Sequence, residues 1–308
     1  NFNCEASVGG GIPILRPLHD SLAANEIERI VGIVNGTTNF ILSNMDEAGV
    51  SYGDALRVAQ KKGYAEADPT NDVAGYDAAR KLAILASIGF HANVTFDDVL
   101  VEGIEKISQN DVQYASEMGY TIKLLAVALR QENGIALNVY PAFVPRSHPL
   151  ASVKGSYNAI YVTGNIVDDV MFYGRGAGSL PTASAVMGDV ISTAKHIMNH
   201  STGTGMMLTE TKRIPFYSSL KLENSYYFRL IVDDVTGVLS QIASAYADND
   251  ISIKEVVQKS RIEDAAELMI ITEKTPRENI IHVEKALQVL PCMRQVANII
   301  RVLEDDRK

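Results

Sequence analysis

The stretch Thr121-Ile122-Lys123-Leu124-Leu125-Ala126-Val127-Ala128-Leu129-Arg130-Gln131-Glu132-Asn133-Gly134-Ile135-Ala136-Leu137-Asn138-Val139-Tyr140-Pro141-Ala142-Phe143 decides the fold. Residues 121–131 and 135–143 read as strands, and Asn133-Gly134 between them is the strongest short-range hairpin signal. Residues 157–163 and 170–173 add two strands across Gly164-Asn165. Upstream, residues 26–34 read as a strand and the remaining periods are helical. Leu18, Leu22 and Ala23 share a face after Arg16-Pro17. Phe40, Ile41, Met45 and Ala48 follow the cap residues Asn35-Gly36-Thr37-Thr38 and stop at Gly49, a C′ glycine. Ser51 caps a further helix carrying Ala55, Val58 and Ala59, ended by Gly63. Residues 64–75, rich in Asp, Pro, Thr and Asn, read as a loop that runs into a helix over 77–88. The expected class is α+β, an antiparallel sheet with helices on one face.

Downstream, Pro181 opens a helix in which Val186, Val190, Ala194 and Ile197 share a face. Residues 206–225 lose periodicity and read as a linker. Beyond it come a strand (226–232), a helix (238–247), two strands (251–258 and 266–272), a helix (278–290) and a strand (296–303). This βαββαβ order is that of a ferredoxin-like unit. The expected organisation is a domain over 1–205, the linker, and a second domain over 226–303.

Composition agrees with two cores. A chain of 308 residues that is 46% hydrophobic and 21% charged, with 13 Tyr and 8 Phe, carries enough apolar material to exclude wholesale disorder and a small disulfide scaffold. A net charge of −9 argues against nucleic acid as partner. No run of about eighteen apolar residues and no leader pattern points to a membrane or to secretion, so the cytoplasm is expected. Cys4 and Cys292, far apart in sequence, read as reduced bystanders. The chain opens at Asn1 on what reads as an element already under way, which leads us to expect a piece of a longer protein.

The most informative segment for chemistry is Gly63-Tyr64-Ala65-Glu66-Ala67-Asp68-Pro69-Thr70-Asn71-Asp72-Val73-Ala74-Gly75-Tyr76-Asp77-Ala78-Ala79-Arg80-Lys81. Asp77 and Lys81 stand at i and i+4, on one helical face. Exposed, such a pair contributes a few tenths of a kcal/mol; buried against its carboxylate, the ammonium can hold or relay a proton. Ala78, Ala79, Leu82 and Ala83 beside them favour burial. The segment is not an EF-hand: counted from Asp68, Val73 stands at the required glycine and Ala79 at the required glutamate. Val8-Gly9-Gly10-Gly11-Ile12-Pro13 is either an ordinary tight turn or one whose free carbonyls coordinate a cation. Gly174-Arg175-Gly176-Ala177-Gly178 reads as a loop before a helix start, a place for a phosphate, but no Walker loop or Gly-x-Gly-x-x-Gly accompanies it. His196 and His200 lie four apart without a third ligand nearby, and the helix C-terminal dipole accounts for them better than zinc. No serine sits in a nucleophile-elbow context.

Glu5-Ala6-Ser7-Val8-Gly9-Gly10-Gly11-Ile12-Pro13, Gly32-Ile33-Val34-Asn35-Gly36-Thr37-Thr38-Asn39-Phe40, the segment from Gly63 to Lys81, and Gly174-Arg175-Gly176-Ala177-Gly178 together resemble homoserine dehydrogenase. The likeness covers residues 1 to about 200. The C-terminal unit, with Asp234-Val235-Thr236-Gly237-Val238-Leu239 before its first helix, resembles the ACT regulatory domain. The resemblance implies interconversion of L-homoserine and L-aspartate 4-semialdehyde with NADP or NAD, on the route to threonine, methionine and isoleucine. It implies Lys81 as the general acid–base group and Asp77 as the residue that orients it and meets the substrate hydroxyl. Glu66 would take the substrate ammonium, with Asp72, Tyr64, Gly36 and Thr37 completing the pocket. Gly63 and Gly178 would approach the cofactor, and the backbone carbonyls of Glu5, Val8, Gly10 and Ile12 would hold a sodium ion.

The tail implies a threonine effector site around Asp234 and Gly237, or a pairing surface without a ligand; a homodimer or homotetramer is expected. The family's nucleotide-binding domain is not recognisable here, so these 308 residues by themselves are expected to turn over little. Two other readings remain at this stage: a non-catalytic ACT-containing regulatory protein, and an oxidoreductase acting on another amino-acid aldehyde.

Overall fold

A computed structural model describes residues 2–201, 214–262 and 264–304, with side chains of 260–262 left aside. The elements run β1 (Ile27–Ile33), α1 (Gly36–Ala48), α2 (Tyr52–Lys61), α3 (Thr70–Val73), α4 (Tyr76–Gly89), β2 (Leu100–Val101), α5 (Gln109–Glu117), β3 (Tyr120–Gln131), β4 (Gly134–Pro145), β5 (Tyr157–Gly164), β6 (Asp168–Arg175) and α6 (Ser179–Met198). They continue with β7 (Glu223–Asp233), α7 (Val238–Ala247), β8 (Ile253–Ile262), β9 (Ala265–Thr272), β10 (Thr275–Pro276), α8 (Arg277–Gln288) and β11 (Met293–Val302). Residues 64–75 are less irregular than their composition suggests, because Thr70–Val73 makes one helical turn, with Val73 N–H donating to Pro69 O at 3.0 Å.

All the main strands join one mixed sheet in the order β6-β5-β1-β3-β4-β11-β7-β9-β8. The N-terminal five are antiparallel to one another. The C-terminal four stand in the order β11-β7-β9-β8, the arrangement of a ferredoxin-like βαββαβ unit. The two halves meet where β11 runs parallel to β4, pairing Arg301 with Ala142 and Val302 with Phe143.

The hairpin turns one residue earlier than expected. Gln131 pairs with Gly134, so Glu132-Asn133 forms the two-residue turn and Gly134 already belongs to the strand. The glycine is needed there because a Cβ would lie 2.3 Å from the Pro215 carbonyl oxygen, where residues 214–217 cross the strand. Ile135 N–H donates to Pro215 O at 3.0 Å and Tyr217 N–H to Ile135 O at 2.8 Å. Of the expected linker, residues 206–213 lie outside the described residues, and 223–225 already belong to β7.

β3 is apolar at nearly every position because both of its faces are covered. Ile122, Leu124, Ala126 and Ala128 pack with α1, α4 and α5, whereas Leu125 and Val127 pack with Leu150, Val153 and Leu303 on the opposite face. Helices therefore cover one face, as expected, and the turn Pro149–Ser152 together with Leu303 shields part of the other. β7 alternates in the same way. Phe228 and Leu230 face the core under α7 and α8, while Tyr227 joins the N-terminal core. Among the described residues, no helix is long and apolar enough to cross a membrane.

Candidate active site

β1 delivers the chain into α1 through Val34 and Asn35. Asn35 is the N-cap: its Oδ1 accepts Thr38 N–H at 2.9 Å. Its Nδ2 donates in the other direction, to Asp72 Oδ1 at 2.7 Å and to Asp77 Oδ2 at 2.9 Å. Asp72 sits on α3 and Asp77 in the first turn of α4, where a carboxylate is favoured by the helix dipole. Gly75 opens α4 with a φ of +86°, and a Cβ there would press within 3.0 Å of Val101. That glycine allows α3 and α4 to fold back closely enough to place both acids on Asn35.

Lys81 follows Asp77 by one helical turn. Its Nζ donates to Asp77 Oδ2 at 2.7 Å and to the Val34 carbonyl at 3.1 Å. The side chains are 22% and 31% exposed for Lys81 and Asp77, so the pair is neither a free surface ion pair nor sealed in the core. An ammonium has three N–H donors. Among the described residues two of them have acceptors, Asp77 and Val34 O. Burial raises Asp72 above the usual carboxylate range, and the neighbouring Asp77 charge adds to this against the pull of the Asn35 hydrogen bond.

Thr37 Oγ1 donates to Tyr64 O at 2.7 Å, tying the end of the α2 loop to α1. The Tyr64 ring stacks obliquely on Phe40 at 4.9 Å and is 42% exposed. Gly36 packs so closely on the Ser156 carbonyl that a Cβ would lie 2.8 Å from it. The structure thus brings together Asp72, Asp77, Lys81, Gly36, Thr37 and Tyr64. Glu66 lies apart from this hydrogen-bonded cluster, exposed at the surface, with its main-chain carbonyl held by Gln60 Nε2 at 3.1 Å. Gly63 takes a φ of +74° at the end of α2, and Gly178 a φ of +118° at the N-cap of α6.

The two glycine-rich stretches meet. A Cβ on Gly10 would lie 2.4 Å from the Gly176 carbonyl oxygen, and Gly11 N–H donates to Arg175 O at 3.0 Å. Glu5 is buried, and its carboxylate accepts the N–H groups of Ile14, Leu15 and Arg16 at 2.6, 2.8 and 2.9 Å. Those bonds satisfy the start of the first helical turn. In this turn Ser7 N–H donates to Cys4 O at 2.9 Å and Ile12 N–H to Gly9 O at 2.8 Å. Among the described residues, no group of three or more His, Cys, Asp or Glu side chains is disposed to hold a metal. At the far end of the molecule, Gly237 caps α7 with a φ of +89°, and Asp234 N–H donates to Asp264 O at 3.0 Å.

Sequence reading took Asn35 only as a helix cap and missed its second role. An Asn at an N-cap uses its oxygen, and where its amide points depends on elements 37 and 42 residues away. It also missed buried Lys123 and the ion-pair networks around Arg229 and Glu102.

A lysine and an aspartate are in contact at the rim of a mixed α/β core, the kind of pair that can hold or relay a proton. The model of the homoserine dehydrogenase family matches residues 13–191. The chain is 42% identical over 306 residues to the homoserine dehydrogenase of Corynebacterium glutamicum, covering 98% of this chain and 68% of that protein. The crystal structure of a homoserine dehydrogenase from Thiobacillus denitrificans superposes with a TM-score of 0.92 at 39% identity, covering 97% of this chain and 69% of that one. A hyperthermophilic archaeal homoserine dehydrogenase mutant in complex with NADPH aligns with a TM-score of 0.53 at 30% identity, over 62% of this chain and 55% of that one. The chain belongs to the homoserine dehydrogenase family, and its activity is the oxidoreductase activity of that family. The regulatory-protein alternative finds no support among these relatives.

Proposed function

We propose that Lys81 is the general acid–base group in the interconversion of L-homoserine and L-aspartate 4-semialdehyde, on the route to threonine, methionine and isoleucine. The observation that carries this is the position of its Nζ, held by Asp77 and Val34 O with one N–H left to meet a substrate oxygen. In the reductive direction the Lys81 ammonium gives its third N–H proton to the aldehyde oxygen as hydride reaches the carbon, leaving a neutral amine; in the oxidative direction Lys81, having first released a proton to solvent, takes the hydroxyl proton as the carbon gives up hydride. Asp77 orients the ammonium and shares its proton. Asp72, Tyr64, Gly36 and Thr37 line the place for the amino acid. Glu66, exposed on the loop between α2 and α3, takes the substrate ammonium.

NADP or NAD, when bound, supplies the hydride acceptor. Gly63 and Gly178 fit close approach to such a cofactor: both hold backbone conformations that favour glycine, and Gly178 stands at the N-terminus of the 20-residue helix α6. The carbonyls of Glu5, Val8, Gly10 and Ile12 suit a hard cation such as sodium, since neutral oxygen donors in a tight glycine turn match its preference. The C-terminal strand order supports an ACT-type regulatory domain over 226–303, joined through 206–225 to a catalytic and dimerisation domain over 1–205. Its threonine effector site lies around Asp234 and Gly237. A homodimer or homotetramer in the cytoplasm is consistent with edge strand β6 and with two free cysteines.

The test is homoserine-dependent reduction of NADP by the complete enzyme and by its Lys81→Ala variant. Loss of a proton-transfer group is expected to lower kcat by about 10²- to 10⁴-fold. A variant as fast as the parent would remove Lys81 from the chemistry.

A further inference from the structure

We infer that Asn35 is a positioning residue for the reaction, the amide that holds Asp72 and Asp77 in one arrangement and keeps Asp77 turned toward Lys81. This rests on the reading of Lys81 and Asp77 as the proton-transfer pair. Asn35 is 5% exposed, and its side chain is fully engaged. Its Oδ1 accepts from Thr38 N–H at 2.9 Å and Thr38 Oγ1 at 3.0 Å, so the amide nitrogen must face the acids. From there Nδ2 spans the two carboxylates, at 2.7 Å to Asp72 Oδ1 and 2.9 Å to Asp77 Oδ2.

The Asp77 oxygen that takes the amide also takes Lys81 Nζ, at 2.7 Å. One atom is therefore fixed from two sides, by a neutral donor on α1 and a charged one on α4. Asp72 and Asp77 lie close enough for each charge to be felt by the other, and Lys81 alone cannot neutralise both. A neutral two-proton donor between them separates the acids without adding charge. A lysine in the same place would compete with Lys81, and an acid would bring a third negative group. The same residue caps α1, whose next residues, Gly36 and Thr37, line the substrate place. Substrate turn, acid pair and lysine thus share one fixed point.

Two variants separate this role from simple capping. Asn35→Asp keeps the shape and the cap acceptor, since aspartate is as good an N-cap as asparagine, but it replaces the donor by a carboxylate facing Asp72, Asp77 and Lys81. Asn35→Ser also keeps a cap acceptor and withdraws the donor without adding charge. In the complete enzyme, kcat for homoserine oxidation is expected to fall about ten- to a hundred-fold in both variants, the scale of a misplaced reacting group. KM should rise less than kcat falls. The acidic limb of the pH–rate profile should move to higher pH in Asn35→Asp, because added negative charge makes the cluster's proton harder to remove, and should move less in Asn35→Ser. Asn35→Ser should melt near the parent, and Asn35→Asp below it, because a third carboxylate is buried beside two.

An Asn35→Asp enzyme that folds and keeps the parent's kcat and pH profile, beside an inactive Lys81→Ala, would overturn the positioning role and leave the proton-transfer reading standing. An active Lys81→Ala would overturn that reading, and this inference with it. Should Asn35→Asp fail to fold, Asn35→Ser carries the same decision through its kcat.

Discussion

Two clusters of charged side chains organise this molecule, and they are built on opposite plans. At the site, Asp72, Asp77 and Lys81 meet around the neutral amide of Asn35, with Lys81 and Asp77 left about a quarter to a third exposed. At the junction with the C-terminal unit, Arg229 meets Asp111 at 2.7 Å and Glu267 at 3.0 Å, with side chains 10%, 0% and 6% exposed. Ser108, Tyr114 and Asn298 donate to those two acids as well. Nearby, Glu102 takes Arg301 at 2.8 Å and Arg277 at 2.7 Å. Burial works against the Arg229 charge, but the Asp111 charge and the hydrogen bonds of both acids outweigh it and hold the guanidinium above its ordinary value.

The Arg229 ion pairs are sealed from solvent, whereas the site keeps water within reach. A proton carrier has to change charge during turnover, and a fully buried, fully paired ion cannot do so without a penalty of several kcal/mol. The comparison therefore fits a structural role for the Arg229 cluster and the proposed proton-transfer role for Lys81 and Asp77. The two clusters are linked through one short segment. Residues 101–104 carry Glu102, and Ile104 N–H donates to Val73 O at 2.9 Å, directly beneath α3.

The sharpest way to break this division is Arg229→Met. Removing one partner leaves Asp111 and Glu267 buried without their cation, and the expected loss is about 3–5 kcal/mol in chemical denaturation. Below its melting temperature the variant should retain kcat within a few-fold, the reverse of Lys81→Ala. A marginal change in stability with a large fall in kcat would show that the junction serves the reaction and that the two plans are not distinct.

Lys123 tests the intermediate case, a buried charge without an acid in contact. Its Nζ donates to Asn39 Oδ1 at 3.0 Å and Val153 O at 2.5 Å, and burial pushes it down to about 8. Asp46 and Glu47 favour the charge from a distance, and Lys154 and Arg146 oppose it. Since the folded value lies below the unfolded one, the cost of holding the charge is present in full below about pH 8. It is relieved as pH rises toward the unfolded value, where the unfolded chain binds more protons. Relative to Lys123→Met, the parent should gain roughly 2 kcal/mol between about pH 7 and 9.5, read as the difference between two urea titrations. A parent and variant with parallel pH profiles would mean that Lys123 keeps its ordinary value in the fold, reached by water.

Much of the fold was legible because it is written in local periods. The helix at α7 and the cap and stop of α1 at Asn35 and Gly49 lie where the spacing predicts them. Asp77 and Lys81 were legible as a pair because helical spacing alone brings them together. What was hidden depends on distant chain. The hairpin turn is displaced by the crossing of residues 214–217, and β2 and α5 emerge from a stretch with no clear signal before them. Arg229 and Asp111 are 118 residues apart, and no spacing rule reaches across that distance. The site itself mixes both kinds of information: its acid–base pair is local, and the amide that orders it comes from another strand end.

The finest test sets the same cap chemistry in both kinds of surroundings. Ser51 and Ser108 are both N-caps, each accepting the N–H of an aspartate three residues on at 3.2 Å. Ser51 opens the exposed end of α2, where its hydroxyl meets Asp54. Ser108 opens α5, receives Arg229 Nη2 at 3.1 Å, and belongs to a capping box in which Asp111 accepts the Ser108 N–H at 2.9 Å. A cap serine replaced by alanine costs about 0.5–2 kcal/mol. Ser51→Ala is expected at the low end of that range, since water replaces the lost acceptor. Ser108→Ala is expected at the high end, because the buried amide and guanidinium it served have no water to turn to. Equal losses in the two variants, measured by the same denaturation, would mean that the Arg229 network does not draw on the cap, and that its stability resides in the two carboxylates alone.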